Sequence, residues 1–128
     1  VVAVEYWPEG ASEPIVSANE IRMPVGERVG FVLDSKTVIH SFWIPSLGGK
    51  MDMFPGRETY VSLRAEEAGT YRGQCAEFCG IAHALMKFQV RVMDPQDYDS
   101  WVTNYGPPPT TTAQAQKGQQ IFGQCVMC

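Results

Sequence analysis

The sequence predicts an all-β fold, a sandwich or barrel of short antiparallel strands followed by one short helix. Two observations support this prediction. Apolar and polar residues alternate with a period of two in several short segments, which is typical of strands that bury one face. Turn signals containing glycine or proline separate these segments at short intervals, a spacing typical of antiparallel sandwiches and barrels.

The predicted strands occupy the chain up to residue 93. Residues 87–93 are the clearest example, because phenylalanine and valine alternate there with lysine, glutamine and arginine. The other predicted strands are residues 21–25, 29–33, 38–44, 59–63 and 69–74. Turns are expected at residues 8–10, 47–50 and 55–56.

A short amphipathic helix is predicted over residues 95–104. Asp94 is a suitable N-cap, and Pro95 takes the first helical position, where its missing N–H costs nothing. Gly106 is expected to end the helix. Residues 107–112 are three prolines followed by three threonines, which predicts a stiff, extended linker.

These features divide the chain into three predicted parts. Residues 1–105 form the β domain, residues 106–113 form a Pro/Thr linker, and residues 114–128 begin a further domain. A second helix is expected over residues 113–122. No internal repeat is evident.

Composition narrows the class of protein. The chain has 128 residues, of which 45% are hydrophobic, enough for a real core in one compact domain. Ten Lys and Arg against fourteen Asp and Glu give a net charge of −4, which argues against nucleic-acid binding and leaves room for a basic protein partner. No apolar run approaches the roughly 18 residues that a membrane span requires. The segment after Val1 does not resemble a secretory leader.

The scarce residues cluster in one predicted loop. Cys75, Cys79 and His83 are spaced four apart, Met86 follows three residues later, and His40 is the only other histidine. A loop between two strands, with one adjacent strand, can place all five side chains around a metal. Thiolate and thioether ligands together select a soft metal, and copper is the natural choice.

The cysteine and histidine cluster has three other interpretations: a disulfide, a zinc site and a single copper. Cys75 and Cys79 would suit a disulfide in an oxidising compartment. A zinc site would use two cysteines and two histidines, but the histidines are 43 positions apart and zinc has no use for Met86. A single copper of the blue type leaves one cysteine idle, whereas two coppers bridged by both thiolates use every ligand.

The spacing Cys-x-Glu-x-Cys-Gly-x-x-His-x-x-Met at residues 75–86 resembles the binuclear copper (CuA) motif of cytochrome c oxidase subunit II. Residues 38–45 and 49–57 resemble segments of the same family. The resemblance covers about residues 15–93 and implies a cupredoxin-like Greek-key β-barrel or sandwich, in agreement with the predicted strands.

The resemblance also implies a role for each ligand. Cys75 and Cys79 would bridge the two copper ions, and His40 and His83 would each bind one of them. Met86 would be the weak ligand of one copper.

Further roles are implied for residues around the motif. The backbone carbonyl of Glu77 would be the weak ligand of the other copper, and its carboxylate would help to hold a magnesium ion at the interface with the catalytic subunit. Asp52 and Arg57 would face the same subunit. Ordinary turn residues are the alternative for all three side chains.

The implied function is that of the electron-transfer domain of a respiratory haem-copper oxidase. The domain would accept electrons from cytochrome c and pass them to the haem of catalytic subunit I, where O₂ is reduced to water. The alternatives are the electron-entry domain of a nitrous oxide reductase and a copper chaperone or storage module. The expected location is the periplasm, at the outer face of a bacterial cytoplasmic membrane, with a soluble fragment derived from a membrane-anchored parent.

The C-terminal segment carries a second cysteine pair. Cys125 and Cys128 have the spacing of a c-type haem attachment site, but the histidine that should follow is not in the chain. Residues 114–128 resemble the start of a class I cytochrome c, which implies a fused domain that is truncated here and a haem c only in the full-length chain. A thioredoxin-like pair and an exposed disulfide are the alternatives.

Overall fold

The computed structural model describes residues 1–105 and 112–125. Nine strands precede two helices. The strands are β1 (Ala3–Tyr6), β2 (Ile15–Ala18), β3 (Glu20–Pro24), β4 (Arg28–Leu33), β5 (His40–Trp43), β6 (Met51–Met53), β7 (Thr59–Arg64), β8 (Gly69–Cys75) and β9 (Lys87–Met93). The helices are α1 (Pro95–Asn104) and α2 (Ala113–Cys125), and a short 3₁₀ turn spans His83–Leu85.

The strands form two facing layers and a small hairpin. Five strands pair in the order β3-β9-β8-β5-β6, β4 pairs with β7, and β1 pairs with β2. Buried side chains from the five-stranded sheet and from the β4–β7 pair belong to one core. The predicted all-β, cupredoxin-like sandwich is therefore confirmed.

One strand pairing differs from the prediction of an antiparallel fold. β3 and β9 run parallel, with Ile21 opposite Val90, whereas the other strand pairs are antiparallel. A parallel pair requires a long connection, and the chain supplies one because five strands lie between β3 and β9. Alternation of polarity reports which face of a strand is buried, and it is silent about strand direction.

Aromatic packing joins the two layers. The Phe42 ring lies 5.3 Å from the Phe31 ring of the opposite layer and 5.3 Å from the Phe88 ring of β9. Phe88 in turn covers Gly73 so closely that a Cβ at this position would overlap the ring. The core thus fixes β5 and β8, the two strands that reach the cysteine loop.

The helix α1 confirms the predicted bounds and closes one edge of the sandwich. The Asp94 carboxylate accepts a hydrogen bond from the Gln96 backbone N–H at 3.0 Å, as expected for an N-cap. Trp101 of α1 packs edge-on against Tyr6 at 5.0 Å, with the Arg22 guanidinium 4.8 Å above the Trp101 ring. Burial raises the pKa of Tyr6, which keeps its phenol protonated in this environment.

The C-terminal predictions are met in part. The second helix exists and extends to Cys125, three residues beyond the predicted end. Gly106 and most of the predicted linker lie outside the described residues, so the domain boundaries remain predictions. Within the described ranges, neither helix has the length and apolar character needed to span a bilayer.

Candidate metal centre

Two neighbouring strands bring the distant ligands together. His40 begins β5 and Cys75 ends β8, and these strands pair with Phe42 opposite Cys75. Backbone hydrogen bonds tie the start of the loop after β8 to β5 and to the end of the same loop. The Ala76 N–H donates to the Ser41 carbonyl at 2.9 Å, and the Cys75 N–H donates to the Met86 carbonyl at 3.0 Å.

Within the loop, a tight turn at Gly80 positions His83 near the two cysteines. Gly80 has a φ angle of +124°, a backbone conformation that glycine adopts readily and that residues with a Cβ atom rarely adopt. The His83 N–H then donates to the Gly80 carbonyl at 3.1 Å, which starts the 3₁₀ turn. This turn places the His83 ring on the same side as Cys79.

The cysteine sulfurs stand between the two imidazoles. Cys75 Sγ lies 3.9 Å from Cys79 Sγ. His40 Nδ1 is 3.8 Å from Cys75 Sγ, and His83 Nδ1 is 3.6 Å from Cys79 Sγ. Each sulfur therefore has its own imidazole, and both imidazoles face the sulfurs with the Nδ1 atom.

Each sulfur also has one further donor beside it. The Glu77 carbonyl oxygen is 3.2 Å from Cys75 Sγ, and the Met86 thioether sulfur is 3.3 Å from Cys79 Sγ. We call Cys75 with its imidazole and carbonyl the Cys75 group, and Cys79 with its imidazole and thioether the Cys79 group. The two groups meet at the two thiol sulfurs, and we call the line between these sulfurs the Cys75–Cys79 edge.

The sulfur pair fits shared metal ions and does not fit a disulfide. A disulfide requires an S–S distance of about 2.05 Å. Two sulfurs bound to one tetrahedral metal at about 2.3 Å stand roughly 3.8 Å apart, close to the 3.9 Å between Cys75 and Cys79. The donor atoms of His40, Cys75 and Cys79 all lie within 4.8 Å of one another. The side chains of His40, Cys75 and Cys79 could therefore hold a metal ion.

The Cys79 thiol has a pKa above that of an ordinary thiol. The pKa of the Cys79 thiol is raised by partial burial, and the neighbouring Cys75 adds to the shift through a hydrogen bond and through charge. A metal that binds here as a thiolate complex must therefore displace protons. Soft cations form thiolate bonds strong enough to do so.

The structure brings together every predicted copper ligand. These are His40, Cys75, the Glu77 carbonyl, Cys79, His83 and Met86. The Glu77 carboxylate is exposed, as either a turn residue or an interfacial ligand would be. Asp52 lies on β6, and Arg57 places its guanidinium 4.1 Å above the Phe54 ring.

The side chains of the second cysteine pair, Cys125 and Cys128, are not described by the structure. Cys128 lies outside the described residues, and Cys125 ends α2 with a side chain that is not described. The haem-attachment interpretation stays a prediction.

Sequence reasoning missed two residues beside the centre. Met53 of β6 lies opposite His40 in the strand ladder, and the hydroxyl of Ser41 is buried without a hydrogen-bond partner among the described residues. β6 was not predicted as a strand, so no pattern connected Met53 with His40. The only sequence signal for Met53 was that it is a methionine, a possible soft metal ligand, in the segment that follows Lys50.

A β-sandwich that gathers two thiols, two imidazoles and a thioether at one interstrand loop is a cupredoxin-like domain with a group that could hold a metal ion. Its residues 1–93 match the family model described as the periplasmic domain of cytochrome c oxidase subunit II. The chain belongs to this family.

Known proteins agree with this assignment. The cytochrome c oxidase subunit 2 of Alkalihalophilus pseudofirmus is 40% identical over 122 residues, which cover 91% of this chain and 35% of that protein. The periplasmic domain of subunit II of cytochrome oxidase from Bradyrhizobium japonicum has a TM-score of 0.65 and 30% identity, covering 79% of this chain and 72% of that structure. A chain of a haem-copper terminal oxidase dimer gives a TM-score of 0.56 and 34% identity, covering 59% of this chain and 52% of that chain. The chain spans about a third of the length of the curated relatives it matches.

Proposed function

We propose that this domain holds a binuclear copper centre and transfers electrons for a respiratory haem-copper oxidase. It would accept one electron at a time from a cytochrome c and deliver it to the haem of catalytic subunit I, which reduces O₂ to water. The observation that carries this proposal is the pair of donor groups that share the Cys75–Cys79 edge at 3.9 Å. Each group supplies a thiolate, an imidazole and one weaker donor.

In this proposal, Cys75 and Cys79 bridge both coppers. His40 binds the copper on the Cys75 side and His83 binds the copper on the Cys79 side, each through Nδ1. The weak ligands are the Glu77 carbonyl and the Met86 thioether. When bound, the copper pair supplies a one-electron redox couple whose charge is spread over both metals.

The protein's part is to hold these ligands still. His40 and Cys75 are fixed by the β5–β8 ladder, and the loop is tied to both strands by backbone hydrogen bonds. A ligand set that changes little between oxidation states loses little energy to reorganisation, which speeds electron transfer. Phe78 packs edge-on against His83, with the ring centroids 5.7 Å apart.

The face around His83 suits a protein donor. Phe78, Ile81 and Leu85 are large apolar side chains that are 76%, 106% and 81% exposed, and all three lie in the copper loop. An exposed apolar patch is typical of a protein interaction site. We propose that cytochrome c docks here, so that its haem approaches His83.

Subunit I would lie on another side of the loop. Lys50, Asp52 and Arg57 come from the β6 region, and the Glu77 carboxylate is exposed next to the Cys75 group. Charged groups of this kind suit a polar subunit interface, and the Glu77 carboxylate would contribute to a magnesium site there.

The proposed setting is the periplasmic side of a bacterial membrane. The family described by the matching model is a periplasmic domain. Residues 1–105 would be the copper domain of a membrane-anchored subunit, residues 106–113 its linker, and residues 114–128 the start of a fused cytochrome c domain that holds haem c in the full-length chain.

The alternatives receive less support. The curated relatives given above are oxidase subunits, which favours an oxidase over a nitrous oxide reductase. A copper chaperone or storage module would bind Cu(I) exchangeably and would not be reduced by a cytochrome c.

The proposal is tested by mixing the copper-loaded, oxidised chain with a reduced class I cytochrome c. We expect the absorbance of the reduced haem to decay with one equivalent oxidised per copper pair, because the pair accepts a single electron. The zinc-loaded chain is the control and should oxidise none. Equal haem oxidation by the copper and zinc forms, or none by either, would contradict the proposal.

A further inference from the structure

A cavity of about 280 Å³ opens beside the metal centre. Three proposed copper ligands contribute to its wall, namely His40, Cys75 and Met86. Met53 lines the same cavity, although it belongs to neither the Cys75 group nor the Cys79 group. A soft donor therefore stands next to the centre without a role in it.

The strand ladder places Met53 beside His40. The two residues are direct partners in the antiparallel β5–β6 pair. Direct cross-strand partners project to the same face of the sheet, with Cβ atoms about 4.5–5.5 Å apart. The Met53 thioether is thus within reach of the space that the His40 ring borders.

The cavity is wide enough for water and has both polar and apolar walls. Asp34, Ser35 and Thr37 line it together with Phe42 and Phe88. The space of about 280 Å³ exceeds by several-fold the roughly 30 Å³ that one water occupies.

The rim of the cavity connects it to solvent. Asp34 and Lys36 line the cavity and are exposed. A hydrated cation that reaches this polar rim meets the Met53 and His40 side chains close to the cysteine pair.

We propose that Met53 is an entry ligand for copper, which binds incoming Cu(I) together with His40 before the metal reaches Cys75. This inference rests on the copper centre proposed above. Thioether and imidazole donors without a thiolate bind Cu(I) reversibly, as a transit site must. In the transfer, the bond from Cu(I) to the Met53 sulfur breaks, a bond from Cu(I) to the Cys75 sulfur forms, and the thiol proton goes to water. Copper stays Cu(I) throughout.

The test measures the rate of copper uptake by the reduced, metal-free chain. Cu(I) is supplied anaerobically as its bicinchoninate complex, and the fading colour of that complex reports transfer to the protein. We expect Met53→Leu to slow the first phase of uptake about tenfold, in line with the loss of a supporting metal partner. Met51→Leu is the matched control, because Met51 lies on the same strand and packs against the same core cluster as Met53 but does not line the cavity. Its uptake should match that of the unmodified chain.

A second variant separates ligation from packing. Met53→His replaces the thioether with another Cu(I) ligand and should restore much of the rate that Met53→Leu loses. Equal uptake rates for Met53→Leu and Met51→Leu would overturn the proposal, as would a slow rate for Met53→His equal to that of Met53→Leu. A copper content of fully loaded Met53→Leu below that of the unmodified chain would make Met53 a permanent ligand and also overturn it. If the unmodified chain takes up no copper pair, the proposed function fails with it, whereas failure confined to the variants leaves that function standing.

Discussion

The sulfur of Cys79 makes the most consequential contacts of any single atom in this molecule. It lies 3.6 Å from the His83 imidazole and 3.3 Å from the Met86 thioether. Both partners come from the same short loop, so the geometry around Cys79 depends on one tight turn. In the proposed copper centre, the Met86 thioether would be the weaker donor of the two and would adjust the properties of the metal.

Replacing Met86 with Leu should leave copper binding intact and raise the reduction potential of the centre. The thiolates and imidazoles that hold the metal remain, while a more apolar surrounding disfavours the more highly charged oxidised state. Copper analysis and redox titration measure the two quantities. Leu85→Ala is the control, since Leu85 is a neighbour that is 81% exposed. A loss of copper from Met86→Leu would contradict the assignment of Met86 as a weak ligand.

A second residue-scale prediction concerns Tyr6, away from the centre. Its hydroxyl accepts a hydrogen bond from the Arg22 backbone N–H at 2.7 Å in a partly buried position. Tyr6→Phe leaves that donor unsatisfied and should lower the free energy of unfolding by about 1–3 kcal/mol. Denaturant unfolding measures the change. A loss below a few tenths of a kcal/mol would show that water replaces the hydroxyl.

At the scale of elements, the hairpin of β8 and β9 is the support of the metal loop. The Phe88 ring of β9 lies against Gly73 of β8, two residues before Cys75. Together with the backbone hydrogen bonds of Cys75 and Ala76, this contact helps to fix the position of Cys75.

Gly73→Ala should destabilise the fold by about 1–3 kcal/mol, because the added methyl group overlaps the Phe88 ring and forces it to move. Gly49→Ala is the matched control, since a Cβ at Gly49 meets nothing within 4 Å. Thermal unfolding of the two variants gives the comparison. A melting temperature for Gly73→Ala equal to that of Gly49→Ala would show that the ring adjusts freely.

Sequence patterns predicted some elements better than others, for physical reasons. β9 was found because one of its faces is buried and the other is wet, with Phe88 and Val90 buried and Lys87 exposed. The hairpin of β1 and β2 was not predicted, since four-residue strands give too few alternations to stand out. The β6 strand has three residues, none fully buried, and carries no pattern at all.

The candidate site was more predictable than the strand pairing. Four of its side-chain ligands fall within residues 75–86, where spacing alone shows that they are neighbours. His40 was added as the only other histidine, at the end of a predicted strand, and only the β5–β8 ladder shows why it arrives there. The Met53 side chain depends on the register of two strands, which no local pattern specifies.

At the scale of the whole molecule, the stabilising contacts are concentrated before residue 106. The core cluster draws its buried side chains from β3, β4, β5, β7, β9 and segments near them. Tyr105 adds a tie after the end of α1, since its hydroxyl donates to the Val16 carbonyl at 2.7 Å. The proposed copper ligands lie within the same part of the chain.

A chain that ends at Tyr105 should therefore fold and bind copper as the longer chain does. We expect its melting temperature to lie within a few degrees of that of the full chain, because the core side chains in the described part of the chain all precede residue 105. Calorimetry and copper analysis of both chains provide the test. A large fall in melting temperature or in copper content would show that residues after 105 belong to the same folding unit.

The central claim is that two coppers share the Cys75–Cys79 edge, and electron paramagnetic resonance of the loaded chain tests it most directly. The chain is loaded with copper, brought to the one-electron-oxidised state and analysed in parallel for metal content. We expect two coppers per folded chain and a spectrum in which one unpaired electron couples equally to two copper nuclei. A single copper per chain, or a spectrum with coupling to one nucleus, would contradict it.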